Sequence, residues 1–266
     1  MNILVLPDIH GREFWRKPCE DISDFDKVVF LGDYLDPYDF EEITIDDAID
    51  VFKDILLFAK DNPKVVMLLG NHDMPYFSQT YYKMDSYHCR HSRNNHNAIS
   101  EIFKAHEDLF KIAHSEDDIL FTHAGCLSSW LSYVFREKYD KELDLTELCS
   151  DLNSLLKTKE GLINLFMADS STRGGYDPFG SCIWADMSEM YYNTANVLSE
   201  EVRQYPIYKV KQVFGHTIRA YMDSDGTYKF GKPVEFRNCK MLDNASAYEL
   251  DTESFTIKEL CETKKS

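Results

Sequence analysis

Five times along this 266-residue chain an apolar, mostly branched run stops abruptly on Asp, Asn or His with glycine beside it. The stops are Leu6-Pro7-Asp8-Ile9-His10-Gly11, Gly32-Asp33-Tyr34-Leu35-Asp36 after Val28 to Leu31, Leu69-Gly70-Asn71-His72-Asp73, Phe121-Thr122-His123-Ala124-Gly125 and Val213-Phe214-Gly215-His216-Thr217. Short apolar runs closed by turn residues read as buried strands. Between the second and third, Ile45, Ala48, Ile49, Phe52, Ile55, Leu56 and Ala59 recur at helical spacing over residues 44–60, with Asp46 and Asp47 in the first turn and Asn62-Pro63 at the stop. Strand, helix, strand in that rhythm implies parallel pairing with right-handed crossovers. In an open α/β sheet, ligands gather at the carboxyl ends of the strands, where all five stops fall.

The remaining chain supplies cover. Residues 74–97 are rich in Tyr, His and Asn with little periodicity, and read as a long loop or small cap beside the strand ends. Short helices are expected near residues 12–22 and 98–106, a strand at 119–122, and several helices within 127–168, clearest at 128–139 and 145–156. Residues 170–180 form a Gly-rich loop around Arg173, and 210–214 a further strand. The tail over 227–260 alternates apolar and polar residues, with turn signals at Asp225-Gly226 and Asp243-Asn244, and reads as antiparallel strands. With no repeat, linker or low-complexity segment, one domain over residues 1–266 with a helical insertion over roughly 128–205 is the economical division.

Bulk properties narrow the function. No run of about 18 apolar residues occurs, so no transmembrane helix is expected, and no basic-then-apolar leader marks a secretory signal. Seven scattered cysteines without a C-x-x-C pair fit neither a disulfide framework nor a zinc knuckle, and read as free thiols in a reducing cytoplasm. A formal charge of −17 argues against nucleic acid as a partner and leaves room for a small, metal-neutralised anionic substrate. Self-association is left open.

Asp8, His10, Asp33, Asn71, His123 and His216 offer oxygen and imidazole nitrogen without thiolate, a set suited to divalent Mn, Fe or Zn. Two aspartates, one asparagine and three histidines exceed one tetrahedral site. They suit two ions about 3.5–4 Å apart that share a carboxylate and a water. A water between two dications is acidic enough to be hydroxide near neutral pH, and the same charge stabilises a phosphoryl group in transfer. Taken singly, each Asp could be a turn residue and each His a hydrogen-bonded structural one; joint occurrence in order defeats that reading.

The ordered set Asp8-x-His10, Gly32-Asp33-Tyr-Leu-Asp36, Gly70-Asn71-His72-Asp73, His123-Ala-Gly and Gly215-His216 resembles the calcineurin-like metallophosphoesterase superfamily. It is most similar to the branch holding the serine/threonine phosphoprotein phosphatases and the bacterial bis-nucleoside tetraphosphatases. The resemblance implies a four-layer α/β/β/α sandwich, with two mixed sheets face to face and helices outside. It implies that Asp8 and His10 bind a first metal, that Asp33 bridges, and that Asn71, His123 and His216 complete the second. His72 would be the general acid, oriented by Asp36.

Two departures accompany the resemblance. Pro37 stands where the phosphoprotein phosphatases place a phosphate-gripping Arg, and Ile218 stands where many members carry the last His of Gly-His-x-His. Arg173 is the first candidate to grip phosphate in their place, as a bidentate fork, followed by Arg90 and Arg93. The expected activity is metal-dependent phosphate ester or anhydride hydrolysis by a metal-bridging hydroxide, with a small phosphomonoester, nucleotide or dinucleoside polyphosphate as substrate. The rivals are a phosphoprotein phosphatase, a non-catalytic metal-binding scaffold and, last, a nuclease. His88, His91 and His96 lie in the cap within possible reach of substrate. Tyr76, Phe77, Tyr81, Tyr82 and Tyr87 are expected to pack the cap more than to stack on a base.

Overall fold

The computed structural model describes residues 1–84, 89–195, 204–218, 220–223 and 228–262. The chain opens with β1 (Asn2–Leu6), α1 (Arg16–Cys19), β2 (Lys27–Phe30), α2 (Ile45–Asp61) and β3 (Val65–Leu68). The cap follows as α3 (Met74–Phe77), α4 (Gln79–Met84) and α5 (His96–Ala105), then β4 (Phe110–Lys111), β5 (Ala113–Glu116) and β6 (Ile119–Thr122). Helices α6 (Ser128–Phe135), α7 (Leu145–Ser154), α8 (Lys159–Leu165) and α9 (Met187–Ala195) precede β7 (Lys211–Phe214). The tail adds β8 (Ala220–Met222), β9 (Tyr228–Phe230), β10 (Val234–Phe236), β11 (Cys239–Met241), β12 (Ser246–Asp251) and β13 (Thr256–Glu262).

Two mixed sheets result, ordered β13-β12-β1-β2-β3-β4 and β10-β11-β7-β6-β5. Strand side chains alternate between faces, so each strand divides its apolar residues between two cores. Ile3, Val5, Val29, Leu31, Val66, Leu68 and Leu250 of the first sheet meet Ile119, Phe121, Val213 and Leu242 of the second in one buried cluster. The opposite faces, with Leu4, Leu6, Val28 and Phe30 on one sheet and Leu120 and Phe214 on the other, join a cluster that takes in Phe52, Ile55, Trp130, Leu131 and Leu152 from the helices. Helix, sheet, sheet, helix is therefore the layering, as the resemblance implied.

Helix α2 shows how local chemistry sets the frame. Thr44 caps it in a reciprocal capping box with Asp47, and Asn62 ends it, a start worth about 1 kcal/mol. Its buried stripe of Ala48, Val51, Phe52, Ile55, Leu56 and Ala59 lies over the first sheet. Among the described residues, no helix is long and apolar enough to cross a membrane.

The tail differs from expectation. Strand β11 pairs with β7 in parallel, Cys239↔Gln212 through Met241↔Phe214, and the Asp243-Asn244 turn carries the chain from the second sheet to the first instead of closing a hairpin. Alternation reports which face of a strand is buried, and is silent on the direction of its neighbour. The cap is more regular than a loop: Pro75 falls in the first turn of α3, and buried Tyr76 and Tyr81 fix α3 and α4. The Asp225-Gly226 turn, Tyr87 and His88 lie outside the described residues.

Candidate metal centre

Parallel register brings the five stops to one edge. Leu6 pairs with Phe30 and Phe30 with Met67, so Asp8, Asp33 and Asn71 leave the first sheet together. Phe121 pairs with Val213, so His123 and His216 leave the second sheet side by side. Beyond the strands the backbone turns hard: Asp8, His10, Asp33, Asp36 and His216 all have positive φ, between 31° and 71°. Asp and His tolerate this region better than most residues, but each instance costs conformational energy that the surrounding structure must offset. Glycine lets the ligands close in. A Cβ at Gly70 would collide with the Asp33 carboxylate and the His123 ring, and one at Gly215 with the Asp8 carboxylate.

The side chains form two donor groups, Asp8–His10–Asp33 and Asp33–His123–His216, with ligand atoms within 4.8 Å of one another in each. Asp33 belongs to both. Its Oδ2 lies 3.5 Å from His10 Nε2 and 3.4 Å from His123 Nε2. Asn71 Oδ1 is 3.0 Å and His216 Nδ1 3.2 Å from that same His123 nitrogen. His10 and His123 each donate Nδ1–H to a carbonyl, of Leu35 and Leu31, at 2.8 Å, which turns Nε2 toward the cluster. All six are buried, and Asp8 Oδ2 has no hydrogen-bond partner. Buried, converging acceptors with an orphaned carboxylate oxygen are what a divalent cation satisfies, so the residues fit the metal that such a donor set implies.

Beside this cluster, His72 Nδ1 lies 3.1 Å from Asp36 Oδ2, and the other Asp36 oxygen accepts from Tyr76 Oη at 2.6 Å. The His72 and His10 rings meet edge to face at 5.2 Å between centroids.

A family model described as calcineurin-like phosphoesterase matches residues 1–219. The chain belongs to that family. It is accordingly a metal-dependent phosphoesterase. A search of curated proteins finds no match. Among solved structures, the cold-active protein tyrosine phosphatase of a psychrophile, Shewanella sp., is similar at 15% identity with a TM-score of 0.55, over 97% of this chain and 80% of that one. A second structure of a cold-active protein tyrosine phosphatase aligns at 16% identity and a TM-score of 0.54, over 100% and 80%. At such identity the likeness concerns the fold.

The phosphoesterase brings two of its three candidate phosphate-binding arginines to the centre. Arg173 is part-buried, donates to Thr217 Oγ1 at 2.7 Å and to Asp186 at 3.0 Å, keeps Nε without a partner, and helps to depress the pKa of His216. Arg90 lies 3.8 Å over the Tyr38 ring and donates to the Asp36 carbonyl at 3.1 Å. Arg93 is exposed, and the cations that bear on His10 and His216 are Arg12, Arg90 and Arg173 instead. His91 and His96 are ring partners of Tyr76 and Tyr82 inside the cap. Tyr76, Phe77, Tyr81 and Tyr82 do pack against neighbouring rings, with Tyr76 serving Asp36 as well.

Burial and mutual charge divide the protons. Burial lowers the pKa of His10 and His216 well below the ordinary value, leaving them neutral and ready to ligate. Burial, reinforced by Asp243, raises Asp8. Asp33 is held well below the usual carboxylate range, its burial outweighed by His123, His72 and His10. Against its own burial, His123 is raised to about 9 by Asp33.

Four residues at the centre had no part in the site expected from the sequence. The Asp73 carboxylate accepts from the backbone N–H of Asp33, Gly70 and Tyr34 at 2.7, 2.8 and 3.0 Å, tying the ends of β2 and β3 together. Arg12 forks onto Glu41 at 2.7 and 2.9 Å and donates to the Asp8 carbonyl at 2.8 Å. Tyr76 holds Asp36. Asp243 is 1% exposed, and neither of its carboxylate oxygens has a hydrogen-bond partner.

Proposed function

We propose that this phosphoesterase is a dinuclear-metal phosphohydrolase acting on a small phosphorylated substrate. Asp8 and His10 would hold one divalent cation, Asn71, His123 and His216 the other, and Asp33 both. The position of Asp33 Oδ2 between the imidazoles of His10 and His123, at 3.5 and 3.4 Å, carries this reading. Mn, Fe or Zn suits the donors, and such a pair supplies charge that acidifies water and neutralises phosphoryl oxygens. His72 gives its proton to the leaving oxygen, while Asp36 and Tyr76 fix its ring. Arg173 and Arg90 hold the phosphate oxygens.

A small substrate is supported by an open cavity of about 360 Å³ beside Asp36, lined among others by Pro37, Tyr38, Asp39, Glu42 and Arg90. Its volume suits a phosphomonoester, a nucleotide or part of a dinucleoside polyphosphate, and its carboxylates repel a long polyanion. The free thiols of Cys19, Cys126, Cys149 and Cys182 support a reducing, cytoplasmic setting.

Phosphoprotein phosphatase activity is the second reading, favoured by one observation. Arg90 reaches the Asp36 carbonyl and so brings a guanidinium next to Pro37, where that branch carries its Arg in sequence. The similar Shewanella structure is likewise described as a protein tyrosine phosphatase.

The test is elemental analysis of the purified chain, with the same sample assayed on p-nitrophenyl phosphate, bis-p-nitrophenyl phosphate and a phosphopeptide in added Mn. Two metals per chain with turnover of the small esters is the expected result. Two metals with turnover of the phosphopeptide alone would favour the second reading. A metal-free, inactive chain would overturn both.

A further inference from the structure

The parallel pairing of β11 with β7 makes a sixth strand end that the five motifs do not include. Met241 pairs with Phe214 and Leu242 N donates to the Phe214 carbonyl at 2.9 Å, so the register carries Asp243 alongside His216. Of the charges acting on Asp8, Asp243 is the largest, and its field also reaches Asp33, Arg12 and His123. The Asp8 carboxylate accepts from the His216 N–H at 2.9 Å and packs on Gly215, so the register that sets Asp243 beside His216 also sets it on the Asp8 side of the centre.

A carboxylate 1% exposed with both oxygens unpartnered is costly unless a cation or a polar ligand satisfies it. Neither neighbouring cation hydrogen-bonds its oxygens. Arg12 spends its fork on Glu41 and the Asp8 carbonyl, and Arg173 is tied to Asp186 and Thr217. Asp243 is also absent from both donor groups whose ligand atoms lie within 4.8 Å of one another, so it is not one of their direct ligands. The Asp8–His10–Asp33 group supplies only three side chains to its cation, with Ile218 where a further His would stand. Mn and Fe favour more ligands than three, so water must complete the site.

We propose that Asp243 is a positioning residue for the first metal site: it accepts hydrogen bonds from a water that completes the coordination of the cation held by Asp8, His10 and Asp33. The inference rests on the dinuclear reading. It makes Asp243 a liability in the metal-free chain and an asset in the metal-loaded one, a combination that a structural carboxylate would not show.

The experiment uses the full chain stripped of metal at pH 8, as wild type, Asp243→Asn and Asp243→Glu, with His10→Ala marking the signature of a lost first site. Calorimetric titration with Mn gives stoichiometry and both dissociation constants, and thermal melting is recorded with and without Mn. In Asp243→Asn the metal-free melting temperature should rise, one Mn should bind as in wild type, and the binding step that His10→Ala removes should weaken by about 10- to 100-fold. Asp243→Glu should recover part of that step. Unchanged binding in Asp243→Asn, or a lower metal-free melting temperature with both steps weakened alike, would overturn the proposal and leave the dinuclear reading intact. Fewer than two Mn on the wild type would instead bring down the dinuclear reading, and this inference with it.

Discussion

Asp33 donates its own backbone N–H to the Asp73 carboxylate at 2.7 Å, so the residue common to both donor groups is fixed by a carboxylate that belongs to neither. The same carboxylate takes the amides of Gly70 and Tyr34. Every partner is a donor, so an amide in its place sets N–H against N–H at one oxygen position. Asp73→Asn should destabilise the chain by about 1–3 kcal/mol for each buried amide left without an acceptor. Denaturant unfolding of the metal-free protein measures this, and Mn affinity should fall with it. A variant with wild-type stability would show that these amides find other acceptors.

His72 occupies a different place in the free-energy balance. Its ring stands beside the donor groups and leans on Asp36, which Tyr76 also holds. His72→Ala should keep its metal yet lose about 10²- to 10⁴-fold in turnover, most with leaving groups of high pKa. Rates for a series of aryl phosphates against leaving-group pKa decide the role. A loss uniform along the series would mean that His72 protonates nothing. Tyr76→Phe removes only the brace, and a smaller loss on the same slope is expected.

The contrast between Asp33 and Asp243 shows how far the sequence reaches. Asp8, Asp33, Asn71, His123 and His216 announce themselves because each ends an apolar run within three residues of a glycine, and two of those glycines, Gly70 and Gly215, let Asp33, His123 and Asp8 approach closely. Strand β11 is three residues long with Lys240 at its centre, and no glycine adjoins Asp243, so neither signal exists there. Its place depends on a parallel pairing with β7 that alternation cannot encode. Asp73 lay inside a recognised motif, but its role comes from the Asp33 and Tyr34 amides at another strand end as well as from Gly70 in its own, which no local pattern records. Strands β4 and β5 escaped for want of length and of apolar residues: one has two residues and the other contains His114, Ser115 and Glu116. The layering was expected from the family resemblance alone: Ile3 to Leu6 is an unbroken apolar run, and its division between two cores appears only in the structure.

Metal uptake should depend steeply on pH through His123. Asp33 raises its pKa to about 9 against the effect of burial, whereas an unperturbed imidazole titrates near 6.5. Below about 9 the metal-free ring carries a second proton, on the nitrogen a cation needs. Binding must expel it, so affinity should climb as pH rises toward 9, by about tenfold per unit, and level off above. Calorimetry in buffers of different ionisation enthalpy should detect at least one proton released per chain at neutral pH, the raised Asp8 adding to the share of His123. Binding that is independent of pH between 7 and 9 would show that His123 is already neutral or is no ligand.

Arg173 and Arg90 can be separated by how each is held. Arg173 is tethered through Nη2 to Thr217 and Asp186 and leaves Nε unpartnered near His216. Arg90 rests on the Tyr38 face at the mouth of the cavity beside Asp36. A charged hydrogen bond to a phosphate oxygen is worth about 1.5–3 kcal/mol. Arg173→Ala should therefore cut kcat/KM by about 10- to 100-fold, raise KM, and weaken inhibition by inorganic phosphate, with metal content unchanged. Arg173→Lys keeps the charge without the fork and should recover only part of the loss. Arg90→Ala should cost less, because the Tyr38 stacking that holds this guanidinium at an open mouth is itself worth about 1 kcal/mol. If Arg173→Ala leaves KM and phosphate inhibition untouched, its ties to Thr217 and Asp186 are its whole purpose, and the phosphate must be gripped from the Arg90 side alone.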